Sequence, residues 1–393
     1  MNILFVANRF PFPPFRGDKL KIFNLTRRLS EKHNLYLVTF YESRDELNYL
    51  KEIQPFFKEI ELVYLPKWRS VLNGIPALFS STPLQMAYFK SAKMKRIVKF
   101  ALERYDIDVV HTQHLRMSQY TKSISLPKVL DLPDAFSLYF KRRKETNRPF
   151  INRLIDAIES VRLARAESVI KQYDKTLVCS VEDKKYLEKL HKTDNVGILL
   201  NGVDLDTFDV KEGHDYSHNH TVLFTGNMDY APNVDGVLYF SKEIWPTLAA
   251  KYPNTKFVIA GQRPEEAVKK LAGNRIEVTG FVPDIQDMYE QASVVVAPLR
   301  FGAGTQNKVL EAMAMGVPTV CTHIGFQGLE IQSGEGVIMA SKKERFITEV
   351  DQLLSDANKR KTVGSKGLYI AKTRFSWDRI ALQLEEILIE VQS

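Results

Sequence analysis

The stretch APLRFGAGTQNKVLEAMAMGVPTV, residues 297–320, decides the reading of the chain. An apolar strand ends near Pro298, and a loop carrying Gly302 and Gly304 follows. A helix then starts near Gln306 and runs through Glu311 to Met315, with Gly316 as its stop and Pro318 just beyond. A glycine-rich loop that feeds a helix N-terminus offers backbone N–H groups and the positive end of the helix dipole to an anion. Arg300 and Lys308 add charge on the same side, so a phosphate or diphosphate is the natural ligand. Glu311, one turn further in, is able to accept hydrogen bonds from vicinal sugar hydroxyls. In the bland alternative the glycines only make the turn and Glu311 is a helix-surface charge.

The same strand–loop–helix rhythm runs outward in both directions. Apolar runs at Ile3–Ala7, Leu35–Phe40, Asp108–His111, Val129–Leu132 and Thr176–Cys179 punctuate the first half. Val222–Thr225, Phe257–Ala260, Ile276–Val278, Val294–Ala297 and Thr319–Cys321 punctuate the second. A helix is expected from about Lys19 to Lys32, with Ile22, Leu25 and Leu29 on one face. Wholly apolar strands alternating with helices indicate parallel sheets covered on both faces. The 393 residues suit two such domains. The polar segment at 201–220 interrupts the periodicity and reads as a solvated linker, with no Cys or carboxylate cluster to complete a metal site around His214, His218 and His220. Two doubly wound domains imply a cleft, and ligands of such sheets sit beyond the carboxyl ends of the strands.

Composition excludes several classes. At 44% hydrophobic and 26% charged residues the chain has ample material for buried cores, which rules out wholesale disorder and collagen-like repeats. Two cysteines, Cys179 and Cys321, cannot build a disulfide framework and suit a reducing cytosol. No apolar run approaches the ~18 residues that span a bilayer, and MNILFVANRF reads as a first strand, not a signal peptide. The expectation is a soluble cytoplasmic protein. Residues 1–200 hold 35 Lys and Arg against 22 Asp and Glu, whereas residues 201–393 hold 20 against 25. The basic half suits an anionic surface or substrate. Its runs Lys141–Lys144 and Lys90–Lys99, next to the apolar groups Phe136–Phe140 and Ala87–Phe89, suggest peripheral contact with the inner face of a membrane. No nucleic-acid reading module appears.

NKVLEAMAMGVPTV with the preceding GAGT resembles the nucleotide-binding signature of glycosyltransferase family four, which has the GT-B fold. Other segments match in order: NRFPFPPFRGDKLKIFNLTRRL (8–29), DVVHTQH (108–114), SVEDKKYL (180–187) and LLNGVDLDTF (199–208). LFTGNMDYAPNVDGVLYF (223–240), VIAGQRP (258–264), VTGFVPDIQDMYEQASVVVAPL (278–299) and the closing FSWDRIALQLEEIL (375–388) continue the series. The likeness is nearest to members linked to bacterial exopolysaccharide and polysaccharide sugar transfer. It implies an α/β architecture of two Rossmann-like domains: 1–205 for the acceptor, 206–372 for the nucleotide sugar, and 373–393 as a helix crossing back. It also implies a retaining, metal-independent transfer from a nucleotide-diphosphate sugar, UDP or GDP, to a glycan or lipid-linked acceptor. No resident cofactor is implied.

By that resemblance Glu311 is the second carboxylate of a paired-glutamate motif that binds the donor ribose. Gly17 approaches the donor diphosphate, and Asp18 reads as the N-cap of the helix after it. Gly226, Asn227, Gly261, Arg263, Phe281 and Val282 line the nucleotide, together with Arg300, Gly304, Thr305, Asn307 and Lys308. His111, His114 and Asp134 are the candidate catalytic groups, Asp134 being preferred to Asp131 for facing the cleft. The chain departs from the pattern in three places. Ala303 stands where the first paired glutamate belongs. Asn227 and Asn233 occupy the stretch where many members carry a diphosphate-clamping Arg and Lys, which leaves Arg300 and Lys308 as replacements. Pro133 stands where a His often follows the strand. The triplets Asp106–Asp108 and Asp204–Asp206 lie beside a strand and in the hinge motif, poor places for a metal. A nucleotide-sugar epimerase and a catalytically degenerate GT-B glycan- or partner-binding protein are the rival readings. A dehydrogenase is disfavoured, as no Gly-x-Gly-x-x-Gly follows a strand.

Overall fold

The computed structural model describes residues 1–145, 149–210, 214–218, 220–302 and 304–393. The chain forms two compact units, Met1–Asn201 with Trp377–Ser393, and Gly202–Ser376.

The first unit is built on seven parallel strands: β1 (Asn2–Ala7), β2 (Asn34–Tyr41), β3 (Glu59–Tyr64), β4 (Val109–Gln113), β5 (Lys128–Asp131), β6 (Lys175–Val178) and β7 (Val196–Ile198). Their order in the sheet is β3-β2-β1-β4-β5-β6-β7. In the second unit, β8 (Thr221–Thr225), β9 (Lys256–Ala260), β10 (Ile276–Gly280), β11 (Val294–Ala297), β12 (Thr319–Cys321) and β13 (Val337–Met339) are ordered β10-β9-β8-β11-β12-β13. All pairings between these strands are parallel. Ile3 to Ala7 and Val294 to Ala297, in central strands covered by helices on both faces, are apolar and fully buried.

Every strand expected from the sequence is present. Three were not anticipated, β3, β7 and β13, and all three are edge strands. EIELVY alternates glutamates with apolar residues because one side of an edge strand meets water. VGI and VIM are too short to show a period.

Sheet order reverses direction between β1 and β4 in the first unit and between β8 and β11 in the second. At such a switch point the following loops diverge to opposite faces and leave a crevice at the strand ends. The loops after β1, β4, β8 and β11, with the helices that they feed, hold most of the residues singled out by sequence.

Two expectations need correction. The helix expected near Lys19 runs from Gly17 to Leu29, with Arg16 as its extended N-cap and no side-chain capping bond. Asp18 therefore lies inside the first turn, where its carboxylate favours the dipole and receives Arg9 instead of capping. The segment expected as a solvated linker is anchored: Tyr216 donates to the Gly316 carbonyl at 2.9 Å, and the Arg360 guanidinium donates to the Tyr216 carbonyl. A Cβ on Gly364 would meet the Gly316 carbonyl oxygen at 2.0 Å, so a glycine is needed for this close packing. In the same segment His218 faces Asp215 at 2.9 Å.

Candidate functional site

In the second unit the ends of β8 and β9 are locked together. Gly226 donates to the Ala260 carbonyl at 3.0 Å and Met228 to the Gln262 carbonyl at 2.9 Å. Both Gly226 (φ 149°) and Gly261 (φ 151°) hold backbone conformations that side chains rarely adopt. A Cβ on Gly261 would stand 1.7 Å from the Gly226 carbonyl oxygen, so two backbones can approach here only as glycines. Asn227 receives Gln262 Nε2 on its side-chain oxygen at 2.8 Å, and Asn233 Nδ2 donates to the Asn227 carbonyl at 2.9 Å. The two asparagines that depart from the family pattern thus brace the loop.

The helix Asn307–Ala314 starts from an extended Gln306 with no side-chain capping bond. Gly302 (φ 150°) and Gly304 (φ 68°) turn the loop into it. Lys308 is 7% exposed, lies 4.9 Å from the centroid of Phe224 and donates to Asn233 Oδ1 at 2.9 Å. A neutral amide cannot offset the cost of dehydrating an ammonium. Burial therefore pulls the Lys308 pKa down to about 8, with the nearby Glu311 opposing the fall. The structure so brings a lysine from the helix to the asparagine that stands in the clamp stretch. Arg300 is placed differently. It forms a two-pronged pair with Asp235, one contact at 2.8 Å, and lies over the Tyr239 ring. Its fork is already matched to a carboxylate.

Glu311 accepts a hydrogen bond from the Tyr289 hydroxyl at 2.7 Å, and the same hydroxyl meets Thr225 Oγ1 at 2.7 Å. Burial raises the Glu311 pKa above the usual carboxylate range, against the pull of Tyr289 and Lys308. Tyr289 is itself fully buried, and burial with the Glu311 charge holds its phenol well above 10. Sequence reasoning missed Tyr289, and no local pattern marks it: its role depends on β8 and the helix meeting in space. Thr305 is buried and Asn307 half-buried in the same loop. The position of Ala303 lies outside the described residues. Arg263 (φ 57°) pairs with Asp229 at 3.2 Å, while Phe281 is exposed and Val282 half-buried beyond β10.

The first unit holds the three candidate catalytic groups in unlike surroundings. His111 has no exposed surface: its ring packs on Phe5 with centroids 4.7 Å apart, and Nε2 is 3.6 Å from Asp131 Oδ2. So placed, it lies buried beside Asp131, and neither ring nitrogen has a hydrogen-bond partner among the described residues. His114 (φ 78°) is also buried, stacked on Phe136 at 4.6 Å. Burial, with Arg116 beside it, holds its pKa well below 6.5, so it is neutral at pH 7. Asp131 is buried and joined to Lys21 Nζ at 2.7 Å. Asp134 is half-buried, and burial together with Asp183 pushes its pKa up to about 7. Asp183 is engaged by Ser180 Oγ and by the Ala135 N–H. Gly17 is exposed at the start of its helix. Next to it, Arg9 and Arg116 both approach the Phe89 ring, at 5.4 and 5.2 Å, with Asp18 bound to Arg9. The arginine pair was also missed by sequence.

The Asp-x-Asp triplets serve local structure. Asp108 accepts the Asn2 N–H at 2.7 Å, and Asp204 accepts from the Asp206 N–H and the Thr207 hydroxyl. Among the described residues no cluster of three or more His, Cys, Asp or Glu is placed to hold a metal ion.

The family described as glycosyl transferases group 1 matches residues 219–356, which span β8 to the helix Lys343–Ser355 and include the whole Lys308–Glu311 site. The chain carries a group 1 glycosyl transferase domain. The protein is thus a glycosyltransferase, and its two parallel sheets are those of the GT-B fold. It is 22% identical over 365 residues to a Klebsiella pneumoniae protein named "Uncharacterized 44.6 kDa protein in cps region", covering 89% of this chain and 90% of that one. Over 172 residues it is 28% identical to the O-antigen chain mannosyltransferase B of Escherichia coli, 41% of this chain and 43% of that protein. Among solved structures, Anabaena HepE in complex with UDP and glucose superposes with a TM-score of 0.70 at 16% identity, covering 99% of both chains.

Proposed function

We propose that this glycosyltransferase moves a sugar from a nucleoside-diphosphate sugar to a glycan or lipid-linked acceptor during synthesis of a surface polysaccharide, with retention of anomeric configuration and without a metal. The observation that carries the donor assignment is Lys308: a buried ammonium beside a helix N-terminus whose hydrogen-bond partner among the described residues is a neutral amide, the nearby Glu311 charge being too weak to offset burial. A diphosphate would complete that charge. The likeness to HepE, crystallised with UDP and glucose, supports a UDP donor, with GDP as the other candidate. The relatives from a cps region and an O-antigen chain support the acceptor class.

In this reading the loop N–H groups and Lys308 stabilise the negative charge that grows on the leaving diphosphate. The sugar passes through an oxocarbenium-like state, and a front-face path needs no protein nucleophile. Glu311, oriented by Tyr289, accepts hydrogen bonds from the ribose hydroxyls. Thermal denaturation of the whole chain with UDP, GDP and ADP tests the proposal. One of the first two should raise the melting temperature in the wild type and fail to do so in Glu311→Ala. No stabilisation by any nucleoside diphosphate would sink it and leave a degenerate binding protein.

A further inference from the structure

Two helical segments of the first unit present an unpartnered apolar face. Twelve of the 23 large apolar side chains exposed among the described residues lie in residues 67–79 and 150–161. Trp68 (65% exposed), Leu72 and Phe79 (89%) stand on and just after the helix Lys67–Ala77. Phe150 (77%), Ile151 and Leu154 stand on the helix Phe150–Ala166. The segments are joined: Glu159 accepts from the Leu84 N–H at 2.9 Å and pairs with Arg162, which also donates to the Leu78 carbonyl. Contiguous exposed apolar surface of this kind marks an interaction site.

Charge identifies what covers it. Residues 67–82 contain no acidic side chain. The two acidic residues of the second helix, Asp156 and Glu159, are buried, paired with Arg143 and Arg162. The exposed charges left among the apolar groups are all positive: Lys67, Arg69, Arg153 and Arg165. We propose that this face seats the enzyme on an anionic lipid bilayer, with the apolar side chains entering the acyl boundary and the four cations meeting the headgroups. Trp68 has the amphipathic ring favoured at that depth. This is a different place from the one expected by sequence: Ala87 and Phe89 are buried, and Phe136 and Phe140 pack under His114 and Arg143. The surface lies outside the nucleotide-binding unit, so it stands or falls apart from the donor assignment.

Flotation of the full chain with vesicles of phosphatidylcholine alone, or mixed with phosphatidylglycerol, is the test. The chain should float with the mixed vesicles and far less with the neutral ones. An exposed cation contributes about fivefold to partitioning onto an anionic leaflet, so Arg69→Gln with Arg153→Gln should weaken binding about 25-fold. Replacing Leu72, Phe79 and Phe150 with Ser should weaken it by roughly a thousandfold or more. Of the three tryptophans, Trp245 and Trp377 are buried, so a blue shift of fluorescence on adding vesicles reports Trp68 and should vanish in Trp68→Phe. Nucleotide stabilisation should be unchanged in every one of these variants, which also shows that they fold. Absence of flotation, or flotation indifferent to the variants, overturns the proposal. So does a dimer of the full chain that the Ser variant dissociates, because a second copy would then be what covers the face.

Discussion

Each unit drives one lysine from a helix into the region where its sheet order reverses, and the two lysines are treated in opposite ways. Lys21 meets a carboxylate, Asp131, at 2.7 Å, and also the Leu199 carbonyl. Although burial opposes it, the Asp131 charge raises the Lys21 pKa. Lys308 meets an amide at 2.9 Å, and burial lowers its pKa to about 8. The first lysine is bonded to a carboxylate, whereas the second hydrogen-bonds to an amide and the Glu311 charge only partly offsets its burial. A completed pair serves the fold, whereas a poorly compensated one costs stability, which fits the donor site proposed for Lys308. His111 lies beside the Lys21–Asp131 pair with its ring packed on Phe5.

That contrast can be broken by exchanging each lysine for an apolar residue of similar length. Lys21→Met strands Asp131 as a buried unpaired carboxylate, and such a loss costs about 3–5 kcal/mol. Urea denaturation should show it, with nucleotide affinity per folded molecule unaltered. Lys308→Met should leave folding stability within about 1 kcal/mol of the wild type, as the dehydrated ammonium is removed with its cost. Its affinity for the nucleoside diphosphate should fall by about 2–3 kcal/mol, the worth of a hydrogen bond to a charged group, by calorimetric titration. Equal stability losses in the two variants would erase the distinction. Tyr289→Phe sharpens it further: Glu311 loses a donor and the Thr225 hydroxyl an acceptor, which should cost about 1–2 kcal/mol of stability and raise the Glu311 pKa further.

The sequence was most legible where a local rule acts. Central strands are apolar because they are buried on both faces, and the loop 298–306 announces itself through glycines and the helix that follows. Edge strands β3, β7 and β13 escaped because β3 lacks the continuous apolar run that marked the central strands and the other two are three residues long. Lys308 was readable as a diphosphate candidate, but its partner Asn233 lies 75 residues away in the chain. Arg300 was equally readable, yet its pairing with Asp235 is set by tertiary packing. Tyr289, Lys21 and the Arg9–Arg116 pair look like ordinary helix and loop residues until the strands bring them together. The apolar face at 67–79 and 150–161 carries no local mark either: exposure of its hydrophobic residues is set by what the fold leaves uncovered.

The finest consequence of the poorly compensated lysine is a pair of pH responses with opposite signs. Below about pH 8 Lys308 is protonated and able to bind an anion. As pH rises through that value the unliganded protein releases the proton, and a diphosphate must pay for its return. Affinity should therefore be flat near pH 7 and fall toward about tenfold weaker at pH 9, roughly 1.4 kcal/mol. Stability of the unliganded protein should move the other way. Between about pH 8 and the ordinary lysine value of 10.5 the unfolded chain holds one more proton at this site than the folded one. The Lys308 contribution to stability must then rise with pH across that window. Both trends are isolated by subtracting Lys308→Met, for which calorimetric affinity should be level from pH 7 to 9. If the variant retained the wild-type decline, the titrating group would lie elsewhere and Lys308 would not be the cation that meets the diphosphate.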